Sequence, residues 1–187
     1  VQAALALVRC DHTKVEVPQS VKEQRQRMPA YFPFRWHIIE NHALVEFAQQ
    51  QSPLQHGDEI LAIDGHTIDQ LVQQYSPLVP VDGYNDHTRV DSIAFSSEFM
   101  GGLVEHFAAL AAEPTTISEI QFMRDGIIQT AQVRKIGFQE WRSFLNQVQP
   151  FYRNFADEVT LQWEDSQTDI LAVNTVGNSH KTGVPHI

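Results

Sequence analysis

The chain has 187 residues, 42% hydrophobic and 19% charged, and its 13 Lys and Arg against 23 Asp and Glu give a formal net charge of −10. That length suits one domain with a full core, or one domain plus part of a second. Cations this few and this scattered exclude a nucleic-acid-binding face, and no run of about eighteen apolar residues exists to form a transmembrane segment.

Residues 1–9 read as the last turns of a helix cut from a longer chain, since they lack the basic start and small-residue cleavage site of a signal peptide. Cys10, the single cysteine, excludes an internal disulfide and reads as a small apolar residue at the helix end. Asp11-His12-Thr13 turns into a strand, Lys14 to Val17, stopped by Pro18. Residues 19–28 are polar with few anchors, and read as a short solvated helix or a mobile loop. From Tyr31 the composition becomes aromatic, and two β-rich runs around Glu40-Asn41-His42 predict a hairpin.

The stretch His56 to Gly65 combines a turn at Gly57-Asp58, a buried strand over Ile60–Ile63 and a second turn at Asp64-Gly65. Thr67 is placed to cap the helix that follows, through about residue 75. Ile93, Met100, Leu103, Val104, Phe107, Leu110 and Ala111 then recur at helical spacing, weakened at Gly101-Gly102, so 76–114 reads as an insertion of one or two helices. Two alternating runs around Asp125-Gly126 carry the clearest hairpin signal in the chain. A short amphipathic helix over 138–145 and two β-like runs at 158–165 and 169–175 complete the pattern, and 177–187 has no periodicity.

Residues 57–65 resemble the Gly-Asp-x-Ile-xx-Ile-Asp-Gly signature of bacterial PDZ-like domains, matching at Gly57, Asp58, Ile60, Ile63, Asp64 and Gly65. Together with Asp11-His12-Thr13 to Pro18, Phe32-Pro33-Phe34 and Asp82-Gly83-Tyr84-Asn85, the order of motifs over about residues 1–145 resembles the N-terminal half of tail-specific (C-terminal-processing) serine peptidases, bacterial members with a long insertion. The resemblance implies an α+β chain. Residues 1–30 would be a helix and strand of a larger domain, and 31–136 a PDZ-like small β-barrel carrying the helical insertion 76–114. Residues 137–187 would be a connector helix and β-hairpin leading to a catalytic domain C-terminal to this chain. It further implies a periplasmic or otherwise exported protein with a peptide or unfolded-protein substrate and no cofactor.

That family cleaves peptide bonds with a Ser-Lys dyad lying in the later domain, so no catalytic residue is carried over. Ser96-Ser97 lacks the Gly-flanked sharp turn that exposes a nucleophile and reads as two polar helix positions. The nine histidines show no metal-ligand spacing, so no metal site is expected. PDZ-like domains bind extended peptide by strand addition, with backbone amides before the first strand receiving a chain end. Here the receiving segment is Ala30 to Phe34, and the expected peptide-binding residues are Tyr31, Phe32, Phe34, Leu71, Val72 and Tyr75. Pro33 offers no N–H, so two alternatives stand: an open groove, or a stand-alone binding or scaffold module with Phe32 and Phe34 plugging it.

Overall fold

The computed structural model describes residues 2–10, 12–13, 15, 18–95, 101–110 and 114–148, and the backbone alone of 159–163 and 169–173. The fold is α+β, organised on a six-stranded antiparallel sheet. The chain divides into two compact units, 1–144 and 145–187. In the second, β7 (Val159–Trp163) pairs antiparallel with β8 (Asp169–Val173). Among the described residues no helix is long and apolar enough to cross a membrane.

Strand β1 (Phe34–Ile39) buries Phe34, Trp36 and Ile38, the period-2 face that the sequence alternates with Arg35 and His37. Glu40 and Asn41 both take positive φ, 48° and 68°, the primed-turn geometry whose twist matches the flanking strands, and return the chain into β2 (His42–Ala48). Strand β3 (Glu59–Ile63) lies between β2 and β5 (Ile117–Arg124), pairing Ile60 with both Ala43 and Phe122. A central strand covered on both edges suits the near-continuous apolar run Ile60 to Ile63. Strand β4 (His66–Thr67) pairs back on β3, and Asp125-Gly126 turns β5 into β6 (Ile127–Arg134) with φ of 51° and 76°.

The order β1-β2-β3-β5-β6 leaves β1 and β6 at the two ends of the ladder. One corner is closed nonetheless. The Tyr31 N–H donates to the Ile136 carbonyl at 3.2 Å, and the Ile136 N–H to the Tyr31 carbonyl at 2.7 Å, joining the residues just outside β1 and β6.

Both acids of the 57–65 signature fasten β3 to β5. Asp58 is buried; its Oδ1 accepts from Arg124 Nε at 2.7 Å, and its Oδ2 from Arg124 Nη2 at 2.6 Å and from the Gln55 N–H at 2.7 Å. Asp64 accepts from the Ser118 hydroxyl at 2.9 Å and the Glu119 N–H at 2.8 Å. Asp58→Ala should lower stability by about 2 kcal/mol, because it removes a bidentate charged pair and leaves the Gln55 N–H without its acceptor. A urea midpoint equal to that of wild type would show that these bonds contribute nothing.

Between β4 and β5 runs the helical part. Helix α3 (Ile68–Tyr75) opens on a reciprocal cap, the Gln70 N–H donating to Thr67 Oγ1 and the Thr67 N–H to Gln70 Oε1. After a single 3₁₀ turn (Ser76–Leu78), α4 (Asp86–Ala94) is capped by Asn85, and α5 (Leu103–Ala109) follows. The periodic run expected from Ile93 onwards is therefore divided, for a reason visible at Gly102. A Cβ there would lie 2.5 Å from the carbonyl oxygens of both Ile93 and Ala94, so the start of α5 rests directly on the backbone ending α4. Ile93, Leu103 and Val104 join Ile68 and Leu71 of α3 and Ile60, Ile63, Ile120 and Phe122 of the sheet in one core.

Several expectations change. Helix α1 covers only Gln2–Ala6, because Arg9 takes φ 55° and ends any continuation. Of the strand expected over 14–17 only Val15 is described, exposed and in no strand, and the pair Ser96-Ser97 lies outside the described residues. Residues 19–27 form a helix, α2 (Gln19–Arg27), yet it is not merely solvated: Arg25 is 1% exposed. Helix α6 (Phe138–Val148) buries Trp141 and Phe144.

Candidate functional site

The site grows from the segment leading into β1. Phe32 and Phe34 are two residues apart in extended chain and so share a face. Their rings stack at 5.1 Å within the core. Tyr31 is also fully buried, stacked on Trp141 at 4.7 Å. On α3, Leu71 is buried, while Val72 and Tyr75 are half-buried against the core. Side chains of the segment therefore hold it in place, and its chemistry is carried by its backbone.

In that backbone the Tyr31 N–H is on the Ile136 carbonyl and the Phe32 N–H is on a side chain. The Phe32 N–H donates to Glu105 Oε1 at 2.6 Å, a short charge-assisted bond, and Glu105 Oε2 accepts from the Gly102 N–H at 2.8 Å. Glu105 is 3% exposed. Burial pushes its carboxyl up to about 7, against the pull of the Phe32 and Gly102 amides and then of the charges on Arg25 and Lys135. Two residues on, Phe107 stacks on Tyr75 of α3 with centroids 5.1 Å apart and planes 7° from parallel. Helix α4 packs against β1 and α3. Helix α5 therefore places a carboxylate on the Phe32 amide and an aromatic ring on Tyr75 of α3.

Behind Glu105 lies a buried polar group. Arg25 Nη1 is 3.0 Å from His106 Nδ1, and its guanidinium sits 5.4 Å from the Tyr31 ring centroid. Arginine can only donate, so Nδ1 accepts and the imidazole proton is on Nε2. Burial, reinforced by the positive charge of Arg25, pulls the His106 pKa down to about 4, which keeps the ring neutral at pH 7. Burial likewise lowers the Arg25 and Lys135 pKa values. The Lys135 ammonium donates to the Thr115 carbonyl at 3.1 Å.

Of the signature residues, Ile60 and Ile63 lie in the same core as Phe32, Phe34 and Leu71, while Gly57, Asp58, Asp64 and Gly65 flank β3. One set of metal-capable donors comes together among the described residues: Cys10, His12 and Asp82 place one ligand atom each within 4.8 Å of the others, on exposed loops. An open cavity of about 750 Å³ is lined by Pro29, Pro33, Pro53, Arg134, Lys135 and Glu140 among others, and by none of the six expected peptide-binding residues.

Glu105, Phe107, Arg25 and His106 were not among the residues expected from the sequence. Glu105 did leave a signal there. It stands three residues after Gly102 inside an apolar run, the spacing at which an acid reaches back over a helix start. No protein-family description matches the chain, and no curated protein matches it significantly.

Proposed function

We propose that this chain is the non-catalytic, polypeptide-handling part of a tail-specific-type serine peptidase, built on a PDZ-like domain whose groove is filled by its own insertion. One observation carries the reading: a backbone amide just before an end strand of the sheet, beside a helix, grips a carboxylate. Strand-adding domains use an amide in that position to hold the end of a chain. The order hairpin, Gly-Asp strand, helix, closing hairpin supports the same reading.

The 187-residue chain alone should leave unfolded casein intact, because no serine is hydrogen-bonded to a lysine among its described residues, the lysine ammonium bonds found there being those of Lys135 to Thr115. Steady cleavage that persists through purification and disappears in Ser96→Ala or Ser97→Ala would overturn the non-catalytic assignment. Extended peptides should bind only feebly, with Kd near 1 mM or about −4 kcal/mol, and shift the amide resonances of Phe32 and β1. Shifts confined to other strands would count against the groove.

A second reading, a stand-alone scaffold module whose groove never opens, is favoured by the depth at which Glu105 is buried and by the Phe107–Tyr75 stack. It predicts no shifts at any peptide concentration.

A further inference from the structure

The turn after α1 and the segment before α4 meet at the single cysteine of the chain. Arg9 takes φ 55° and ends α1, and the Thr13 N–H donates to the Cys10 carbonyl at 3.0 Å, so Cys10 and His12 share one turn. The Gly83 N–H donates to the Arg9 carbonyl at 3.0 Å, and Arg9 Nη1 donates back to the Gly83 carbonyl at 3.0 Å. The Arg9 guanidinium also lies 4.2 Å from the Tyr84 ring centroid. These contacts hold the neighbour of Cys10 against the neighbours of Asp82. One ligand atom each of Cys10, His12 and Asp82 then stands within 4.8 Å of the other two.

From this geometry we infer that Cys10, His12 and Asp82 form a zinc site with three protein ligands and a fourth position open to water. The inference is independent of the groove reading above.

The donor chemistry selects the ion. A thiolate, an imidazole and a carboxylate are the three ligand types that zinc takes, whereas magnesium and calcium take oxygen alone. Around one tetrahedral zinc, with Zn–S of about 2.3 Å and Zn–N or Zn–O of about 2.1 Å, such atoms stand about 3.4 to 3.6 Å apart. Closing to that spacing asks only for rotation of side chains. Cys10 is half-buried and His12 and Asp82 are exposed, so the rotation disturbs no core contact.

Charge points the same way. As the Zn–S bond forms, the S–H bond breaks and its proton passes to solvent. The thiolate and the carboxylate together then balance the two charges of the ion, which leaves no net repulsion against Arg9, itself 3.8 Å from Asp86. The bound ion ties the turn after α1 to the segment before α4. The sequence could not show this set, because Cys10-x-His12 supplies only two donors and the third arrives through the Arg9–Gly83 pairing.

The test uses the whole chain, kept reduced, as wild type, Cys10→Ser, His12→Ala, Asp82→Ala and, as control, His66→Ala, an exposed histidine on β4. Cobalt(II) is the spectroscopic probe, and zinc affinity is read by competition with a chromophoric chelator. With one cysteine in the chain, a thiolate-to-cobalt charge-transfer band can come only from Cys10. The expected result is one metal per chain, with that band and the intense visible bands of four-coordinate cobalt, both bleached by zinc. Cys10→Ser should lose the charge-transfer band. His12→Ala and Asp82→Ala should each weaken zinc by about tenfold or more, and His66→Ala should change neither readout.

Absence of the charge-transfer band in wild type would overturn the site. A band and a zinc affinity unchanged in His12→Ala and Asp82→Ala would show cysteine acting alone and overturn the three-donor set. One metal per two chains would mean that the ion bridges copies, and equal weakening by His66→Ala would mean diffuse binding to surface histidines; either result defeats the inference.

Discussion

Gly102→Ala should destabilise this protein by about 3 kcal/mol or more, the upper range for overpacking. The added methyl would meet two carbonyl oxygens at 2.5 Å, and those oxygens belong to backbone at the end of α4, which cannot rotate aside as a side chain could. Relief requires α5 to withdraw from α4, and that withdrawal takes Leu103 and Val104 out of the core and Glu105 off the Phe32 amide. Gly57→Ala is the control. Gly57 has φ +87° with nothing near its missing Cβ, so alanine there meets only backbone strain, about 1 kcal/mol. Urea unfolding of both variants checks the contrast, and equal midpoints would mean that α4 and α5 give way easily at Gly102.

Between pH 4.5 and 6.5 the wild-type protein should show little pH dependence from its buried polar group, and each of two single variants should reveal a steep one. Glu105 has a folded pKa near 7, above its ordinary value of 4.5, so folding takes up a proton there. Its contribution is full below pH 4.5 and is lost as pH rises through 7. His106 has a folded pKa near 4, below its ordinary 6.5, so folding releases a proton. Its contribution is full above pH 6.5 and is lost as pH falls through 4. The charged groups facing the pair are Arg25 and Lys135 for Glu105, and Arg25 for His106; both keep their charge over this range.

Each displacement corresponds to about 3 kcal/mol at full extent, and the two slopes oppose each other. Relative to wild type, Glu105→Gln should therefore gain about 3 kcal/mol between pH 4.5 and pH 7.5. His106→Gln should lose a similar amount between pH 4 and pH 6.5. Parallel stability curves for all three proteins would show that neither group is displaced as described.

What was legible in the sequence was local. The turns at Gly57, Asp64-Gly65 and Asp125-Gly126 need positive φ, and residues that tolerate it stand at those positions. The Thr67 cap and the β5–β6 register follow from spacing over a few residues. The site was not legible because its bonds are distant: Phe32 to Glu105 spans 73 residues and Arg25 to His106 spans 81. Nothing in the polar run 19–28 marks Arg25 as buried, since its burial depends on a helix that comes much later. Phe32 and Phe34 illustrate a different difficulty. Their period-2 spacing, continued by Trp36 and Ile38, is that of a core face, whereas the resemblance places them in the receiving segment.

The pairing of β3 with β5 also governs the order in which the chain can fold. The Asp58–Arg124 pair joins residues 66 apart, with α3, α4 and α5 in between. Loop-closure entropy grows slowly with length, so the intervening helices add only about 0.6 kcal/mol per doubling of the loop to the equilibrium cost. The kinetic effect is larger, because contacts of long sequence separation form late and slow the search. During synthesis the β1–β2 hairpin and β3 emerge well before β5, leaving one side of β3 without hydrogen-bonding partners until about sixty further residues have been added. In that interval the apolar strand Ile60 to Ile63 is the part of the nascent chain most open to mispairing with another polypeptide.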